Sequence, residues 1–341
     1  MKGDTSHVTI IRLTSRKNGS WLDSEIDLRK NKRLFDHKMA DDGAEIRIRN
    51  VLKKIKTFQL NSSEYEIIQL SKPTVSGGGG ETKTDIYIKA KNKSSNKQEE
   101  IKISYKKPSF SFVENKIKSH RAEAIYGNNW SKIIKEQIDE IRDNFLGKPL
   151  VYFEKNGRIE KGSITLGWRY EMEHAGSRLL GVKIKQNIAA QVWENKGAQV
   201  QYRDGIVDGK QIPLSGMPNF CLTVEPENVN TADDVFEHLV SMKELIQTHG
   251  NITAAFLAQN YRSHKQKQEG NRRHLGVWIK WKIVNGKLAC EYVFDKPLEM
   301  ESLPRLENLD ECLKEIGIDL KKNFKIDLLK DKIHESVPVY P

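Results

Sequence analysis

Residues 76–106, from Ser76 to Lys106, read SGGGGETKTDIYIKAKNKSSNKQEEIKISYK. The glycines Gly77 to Gly80 form a loop whose backbone can approach another group closely. Asp85 then opens an alternating run, Ile86-Tyr87-Ile88, and the polar segment from Asn92 to Lys97 carries the turn residues of a hairpin. The returning strand alternates again. Ile101, Ile103 and Tyr105 share one face; Glu100, Lys102, Ser104 and Lys106 share the other. A turn centred near Ser94 and Ser95 sets Asp85 against a residue near Ser104. Directly opposed Cβ atoms lie about 5 Å apart, so Asp85, Ser104 and Lys106 converge on one small volume. A carboxylate with an ammonium beside it suits a divalent ion and a positioned water. Magnesium keeps several of its own waters, so one or two protein carboxylates hold it.

The flanking segments extend this hairpin into a sheet. Asp41 or Asp42 caps a helix with the apolar stripe Ala44, Ile48, Val51, Leu52 and Ile55. Glu64 to Ser71 reads as a strand leading into the glycines, His7 to Thr14 as an earlier one. Phe112 to Leu146 reads as mainly helical, broken at Gly127. The expectation is an α/β (α+β) fold, a central mixed β-sheet flanked by helices. Leu150 to Phe153 and Ser163 to Trp168 add strands. From Trp168 on, apolar segments shorten and turn signals recur. This second region predicts a helix from Asp234 to His249 and a short helix from Ala254 to Tyr261. It also predicts a hairpin of Leu275–Val284 and Leu288–Phe294 around the turn Asn285-Gly286, then an amphipathic helix from Leu303 with a polar tail. The chain is read as a catalytic core over residues 1–165 and an α+β region over 166–341 for DNA recognition and dimer contacts, with one continuous domain as the alternative.

At Lys83-Thr84-Asp85-Ile86 and Ile103-Ser104-Tyr105-Lys106-Lys107 the chain resembles the PD-(D/E)xK nucleases, of which type II restriction endonucleases are the largest group. Thr84 stands where the signature has proline, and Ser104 where it has a carboxylate. The resemblance implies a restriction-endonuclease-like core, Mg²⁺ as cofactor, and site-specific hydrolysis of phosphodiester bonds in double-stranded DNA. It implies Asp85, Ser104, Lys106, Glu123 and Glu45 as the catalytic set, with Asp85 and Glu123 holding the metal. Glu123 on the following helix would supply the missing carboxylate, with Glu45 on the preceding helix and Glu114 as alternatives. The literal text Glu100-Ile101-Lys102 also matches the signature, but the register places Glu100 opposite Lys89. That is about four residues, or roughly 13 Å, along the strand from Asp85. Enzymes of this kind commonly work as dimers, which makes a homodimer the implied assembly. A structure-specific or repair nuclease and a non-catalytic DNA-binding protein are the alternative functions.

Composition points to the same partner. The chain has 341 residues, 37% of them hydrophobic and 30% charged, with a net charge of +11. A basic excess of this size favours nucleic acid, whose phosphates it neutralises. The basic loop Ser263 to Arg273 is the base-reading candidate. Arg262, Lys265, Asn271, Arg272 and Arg273 provide its DNA-binding side chains, arginine reading guanine and asparagine reading adenine. Arg121, Lys132 and Lys135 are candidates for a DNA-facing helix. Arg169, His174 and Arg178 are a further polar cluster, and Glu171, Glu173 and His174 are metal-ligand candidates whose close spacing matches no known motif. Cys221, Cys290 and Cys312 are too scattered for a metal cluster and read as reduced, buried thiols. No apolar run reaches the ~20 residues that span a bilayer, and the N-terminus has no secretory h-region. The expectation is a cytoplasmic protein without membrane contact.

Overall fold

The computed structural model describes residues 10–17, 20–27, 43–77, 81–174, 180–261, 273–320, 322 and 324–341. Strands β1 (Ile10–Lys17) and β2 (Ser20–Asp27) pair as a hairpin of their own. Helix α1 (residues 43–52) follows. Next come β3 (Thr57–Leu60), β4 (Ser63–Ser71), β5 (Ile86–Asn92) and β6 (Gln98–Lys106). They form four neighbouring antiparallel strands of a six-stranded sheet. Its last two strands come from far along the chain. β13 (Phe220–Thr223) lies parallel to β6, and β14 (Leu239–Ser241) closes the edge. The sheet is therefore mixed.

A second, seven-stranded sheet has the central order β10 (Gly181–Lys183), β15 (Thr253–Asn260), β9 (Thr165–Glu173), β16 (His274–Val284), β17 (Lys287–Val293). Strands β7 (Phe112–Glu114) and β18 (Met300–Glu301) pair with β9 and β16. Helices α2 (Ser119–Tyr126), α3 (Trp130–Glu140), α5 (Ala189–Trp193), α8 (Met242–Thr248) and α9 (Ser302–Glu315) pack around these layers. The short α4 (Arg142–Leu146), α6 (Val200–Arg203) and α7 (Ala232–Phe236) link them. The fold is mixed α+β, as expected.

The alternation in the hairpin sorts its side chains between two cores. Ile86, Ile88, Ala90, Ile101 and Ile103 pack with Ala44, Ile48, Val51 and Leu52 of α1, and with Val235 and Phe236. The other core surrounds the second sheet, with Trp168, Tyr170, Phe256 and Trp281 buried in it. Strand β13 serves both, Leu222 in one core and Cys221 in the other. Two strands of the first sheet thus come from beyond residue 165, while β7 pairs with β9, so a division at 165/166 does not separate the sheets.

Several expectations are corrected. Residues 254–260 are not helical: Thr253–Asn260 is the strand β15, paired on both sides. Ala254, Ala255 and Phe256 are all buried, and a strand covered on both faces shows no alternation to distinguish it from a helix. The single helix expected from Asp234 to His249 is three elements, α7, β14 and α8. The second break has a local cause, since the Ser241 side chain accepts from the Glu244 N–H at 3.2 Å and caps α8. Residues 112–114 form a strand where a helix was expected. The tail after α9 is not simply polar: Ile318, Leu320, Ile326, Leu329 and Val337 are buried. The Asn285-Gly286 turn is as read, with φ of 50° and 72° at its two central residues, the left-handed pair of a tight hairpin turn. Among the described residues no helix is long and apolar enough to cross a membrane.

Candidate active site

The hairpin register is the one its turn implied. Lys89 pairs with Glu100 and Ile86 with Ile103, so the next residues along are Asp85 and Ser104. The Asp85 N–H donates to Ile103 O at 2.9 Å, and the Tyr105 N–H donates to Asp85 Oδ2 at 2.7 Å. This clamp fixes the carboxyl at the end of the strand pair. The Glu100-Ile101-Lys102 text lies elsewhere: Glu100 accepts from the Tyr87 hydroxyl at 2.7 Å and faces Lys102 at 3.9 Å.

Helix α1 brings the second carboxylate. Its apolar stripe docks on the hairpin, so Glu45 in its first turn comes to the mouth of the strands. Arg49, one turn on, donates to the Asp85 backbone carbonyl at 3.3 Å and stands 3.7 Å from Glu45 Oε2. Lys72 meets the same Glu45 oxygen at 2.6 Å. Burial first, and then the charge of Glu45, push the Asp85 carboxyl up to about 7. Lys106, the Tyr105 N–H and Lys72 pull the other way and are outweighed. Burial alone would lower Lys72, but its bond to Glu45 and the charges of Glu45, Glu81 and Asp85 leave its pKa raised.

Ser104 is 2% exposed and its Oγ has no hydrogen-bond partner; Thr84 Oγ1, on the residue before Asp85, is equally buried and equally orphaned. Buried polar atoms without partners are rare enough to ask for an explanation. Two carboxylates whose charges oppose each other, Glu45 and Asp85, are a donor set that fits one hard divalent ion with retained waters. Glu45 and Asp85 would hold it. Groups of three or more carboxylate, histidine or cysteine ligands do not occur among the described residues, the Glu171–Glu173–His174 cluster included.

Asp85 and Lys106 open into a cleft of about 800 Å³ between the two sheets. Beside them stand Lys83, Glu114 and Arg121. Glu114 binds Lys83 at 3.0 Å and Arg121 at 2.7 Å. Burial would raise the Glu114 carboxyl, but these two cations hold it down to about 2. It is a structural anion, committed to its cations. Burial also lowers Lys83, to about 8, with Glu114 opposing the shift. Across the cleft are Arg169, Arg273, His120, His274 and Glu301.

Glu123 lies on the exposed side of α2 and does not line the cleft. The structure brings Asp85, Ser104, Lys106 and Glu45 together and leaves Glu123 outside. Lys132 and Lys135 are on a solvated face, paired along α3 with Glu136 and Asp139. Arg262, Lys265, Asn271 and Arg272 lie outside the described residues, as do Gly78, Gly79 and Gly80. Arg273 is described, and it lines the cleft. Sequence reading missed Lys72, Arg49, Lys83 and His120, and it placed Arg169 in a polar cluster without assigning it to the cleft. Lys72 had one weak signal, its place just before the glycine loop.

No family model, curated protein or solved structure matches the chain.

Proposed function

We propose that this protein is a Mg²⁺-dependent nuclease of the PD-(D/E)xK type, most simply a type II restriction endonuclease that hydrolyses double-stranded DNA at a short specific sequence. One observation carries the reading. Asp85 and Lys106 line one end of a cleft bordered by lysines and arginines, and Glu45, from a third segment and outside the cleft lining, stands near enough for its charge to raise the Asp85 carboxyl. Asp85 and Glu45 would hold the ion, which when bound supplies positive charge at the scissile phosphate and acidifies water. Lys106 is fixed by its strand beside Asp85. Its ammonium orients the attacking water and neutralises charge that builds on the phosphoryl oxygens during in-line displacement. Ser104 Oγ, buried without a partner on the strand beside Asp85, would hydrogen-bond a water of the same shell. The 3′ oxygen leaves as the water oxygen bonds to phosphorus. Glu123 drops out of the candidate set, and Glu45 takes the place of the second carboxylate.

Incubation of the protein with plasmid and Mg²⁺ tests the reading. Discrete fragments that disappear with Asp85→Asn support it. Uncut plasmid at every Mg²⁺ and Mn²⁺ concentration, with folded protein, leaves only a DNA-binding role.

A further inference from the structure

The wall of the cleft facing Asp85 gathers basic side chains from three elements. Arg169 comes from the middle of β9 and Arg273 precedes β16. His274 opens β16, and His120 stands in the first turn of α2. Acidic groups already stand among them: Arg169 reaches Glu171 at 3.1 Å, the same carboxylate acts on Arg273, and His274 reaches Glu301 at 3.2 Å. Arg169 Nε is nevertheless buried with no hydrogen-bond partner, as is Arg121 Nε at the cleft edge.

The crowding bears on the protonation of the group. Burial and then the charge of Arg169 lower Arg273, with Glu171 opposing. Burial and then the charges of Lys118, His274 and Arg121 lower His120. The start of α2 adds to the conflict. Helices favour acids in their first turn and cations in their last, yet α2 has no acid in its first turn and begins Ser119-His120-Arg121 after Lys118. A folded protein keeps such mutually repelling cations where an anion relieves them.

We infer that this wall binds the phosphodiester backbone of a DNA strand, with Arg169, Arg273 and His120 as the groups that hold the strand against Asp85 and Lys106. The inference rests on the nuclease reading for the identity of the anion and adds to it the residues that grip the strand. Arg273 thereby holds backbone and does not read bases. Arginine suits the role because its planar fork grips phosphate oxygens in pairs.

The test is fluorescence-anisotropy binding of labelled duplex and single-stranded oligonucleotides to the full chain in EDTA, across a salt series. Arg273→Gln and His120→Gln are compared with Lys132→Gln, which removes one charge from an exposed helix face. Removing one phosphate-binding side chain from the cleft should weaken binding about tenfold at low salt. It should also reduce the slope of log K against log salt by about 1. Lys132→Gln should change neither by more than about twofold. Arg169→Lys keeps the charge and loses the fork, so an intermediate weakening is expected, with thermal unfolding as the check on folding. His120 is exposed on α2, so its variant decides the matter if the Arg273 variant fails to fold. Cleft variants that bind like the wild type overturn the inference, as does equal weakening in all variants, which would mean diffuse electrostatics. Plasmid cleavage is read separately. DNA cut by Mg²⁺ with unaffected cleft variants sinks this inference and leaves the nuclease reading standing. Weakened binding in the cleft variants with no cleavage by wild type does the reverse.

Discussion

Asp85 is where physical chemistry and candidate function meet most closely. Its raised pKa means that the folded state favours the protonated form. The stabilisation this confers is fully present below about 4, the ordinary aspartate value, and is lost as pH rises through about 7. Asp85→Asn removes the cost of burying an ionised carboxylate beside Glu45. Its thermal midpoint should match wild type near pH 4.5 and exceed it at pH 8. Mg²⁺ should raise the wild-type midpoint at pH 8 and leave the Asn variant unmoved. Equal midpoints at both pH values would show that Asp85 ionises normally. The same titration predicts that cleavage falls as pH drops below neutrality, because a protonated Asp85 holds no cation. Lys106→Ala and Glu45→Gln should each lower the cleavage rate by about 10²-fold or more, the usual scale for removing one electrostatic stabiliser. Glu123→Ala and Glu100→Ala should stay within about twofold, since Glu123 is exposed on α2 and Glu100 is bonded to the Tyr87 hydroxyl further along the strand. Single-turnover rates on one substrate compare all four. A dead Glu123 variant would return the second carboxylate to α2.

At the scale of elements, α1 is a carrier. Ile48 is fully buried against the hairpin, and the Arg47 side chain of the same helix bonds the Val229 carbonyl at 3.2 Å. Ile48→Ala should cost about 2–5 kcal/mol in urea unfolding. It should also lower cleavage beyond what the reduced stability explains, because Glu45 rides on the same helix. Unchanged activity in the folded variant would detach Glu45 from the site. In the second sheet Gly167 holds the centre. Its φ is +151°, and an added Cβ would lie 2.4 Å from Val277 O and 2.8 Å from Trp278 Cα. Those are backbone atoms of the neighbouring strand, beside the irregular register of β9 and β16. Gly167→Ala should destabilise by about 3 kcal/mol or more; a midpoint within about a degree of wild type would contradict the strand packing.

The two large sheets hold a basic cleft between them, on a chain of net charge +11. If about six phosphates are neutralised, affinity for duplex DNA should fall by about 10³-fold between 50 and 200 mM salt. A flat salt dependence in the same binding assay would remove DNA as the partner. The arrangement also accounts for the expected domain boundary. A break in composition near residue 165 is real in the sequence, but β13 and β14 cross back to complete the first sheet. Composition reports local exposure, whereas parallel pairing of β13 with β6 joins residues more than a hundred positions apart.

What the chain's own letters determined is local. Alternation and turn chemistry specified the hairpin of β5 and β6, its register and the pairing of Asp85 with Ser104, because side-chain period and turn length leave little freedom there. The same holds for the Asn285-Gly286 hairpin and for α1 with its apolar stripe. Tertiary structure alone decided which carboxylate stands beside Asp85, since the text favours Glu123 and only the docking of α1 brings Glu45 there. It decided that Thr253–Asn260 is a strand, because neighbours on both sides override the weak preference of an alanine-rich segment. It also decided the cleft, whose walls come from strands that no short-range pattern connects.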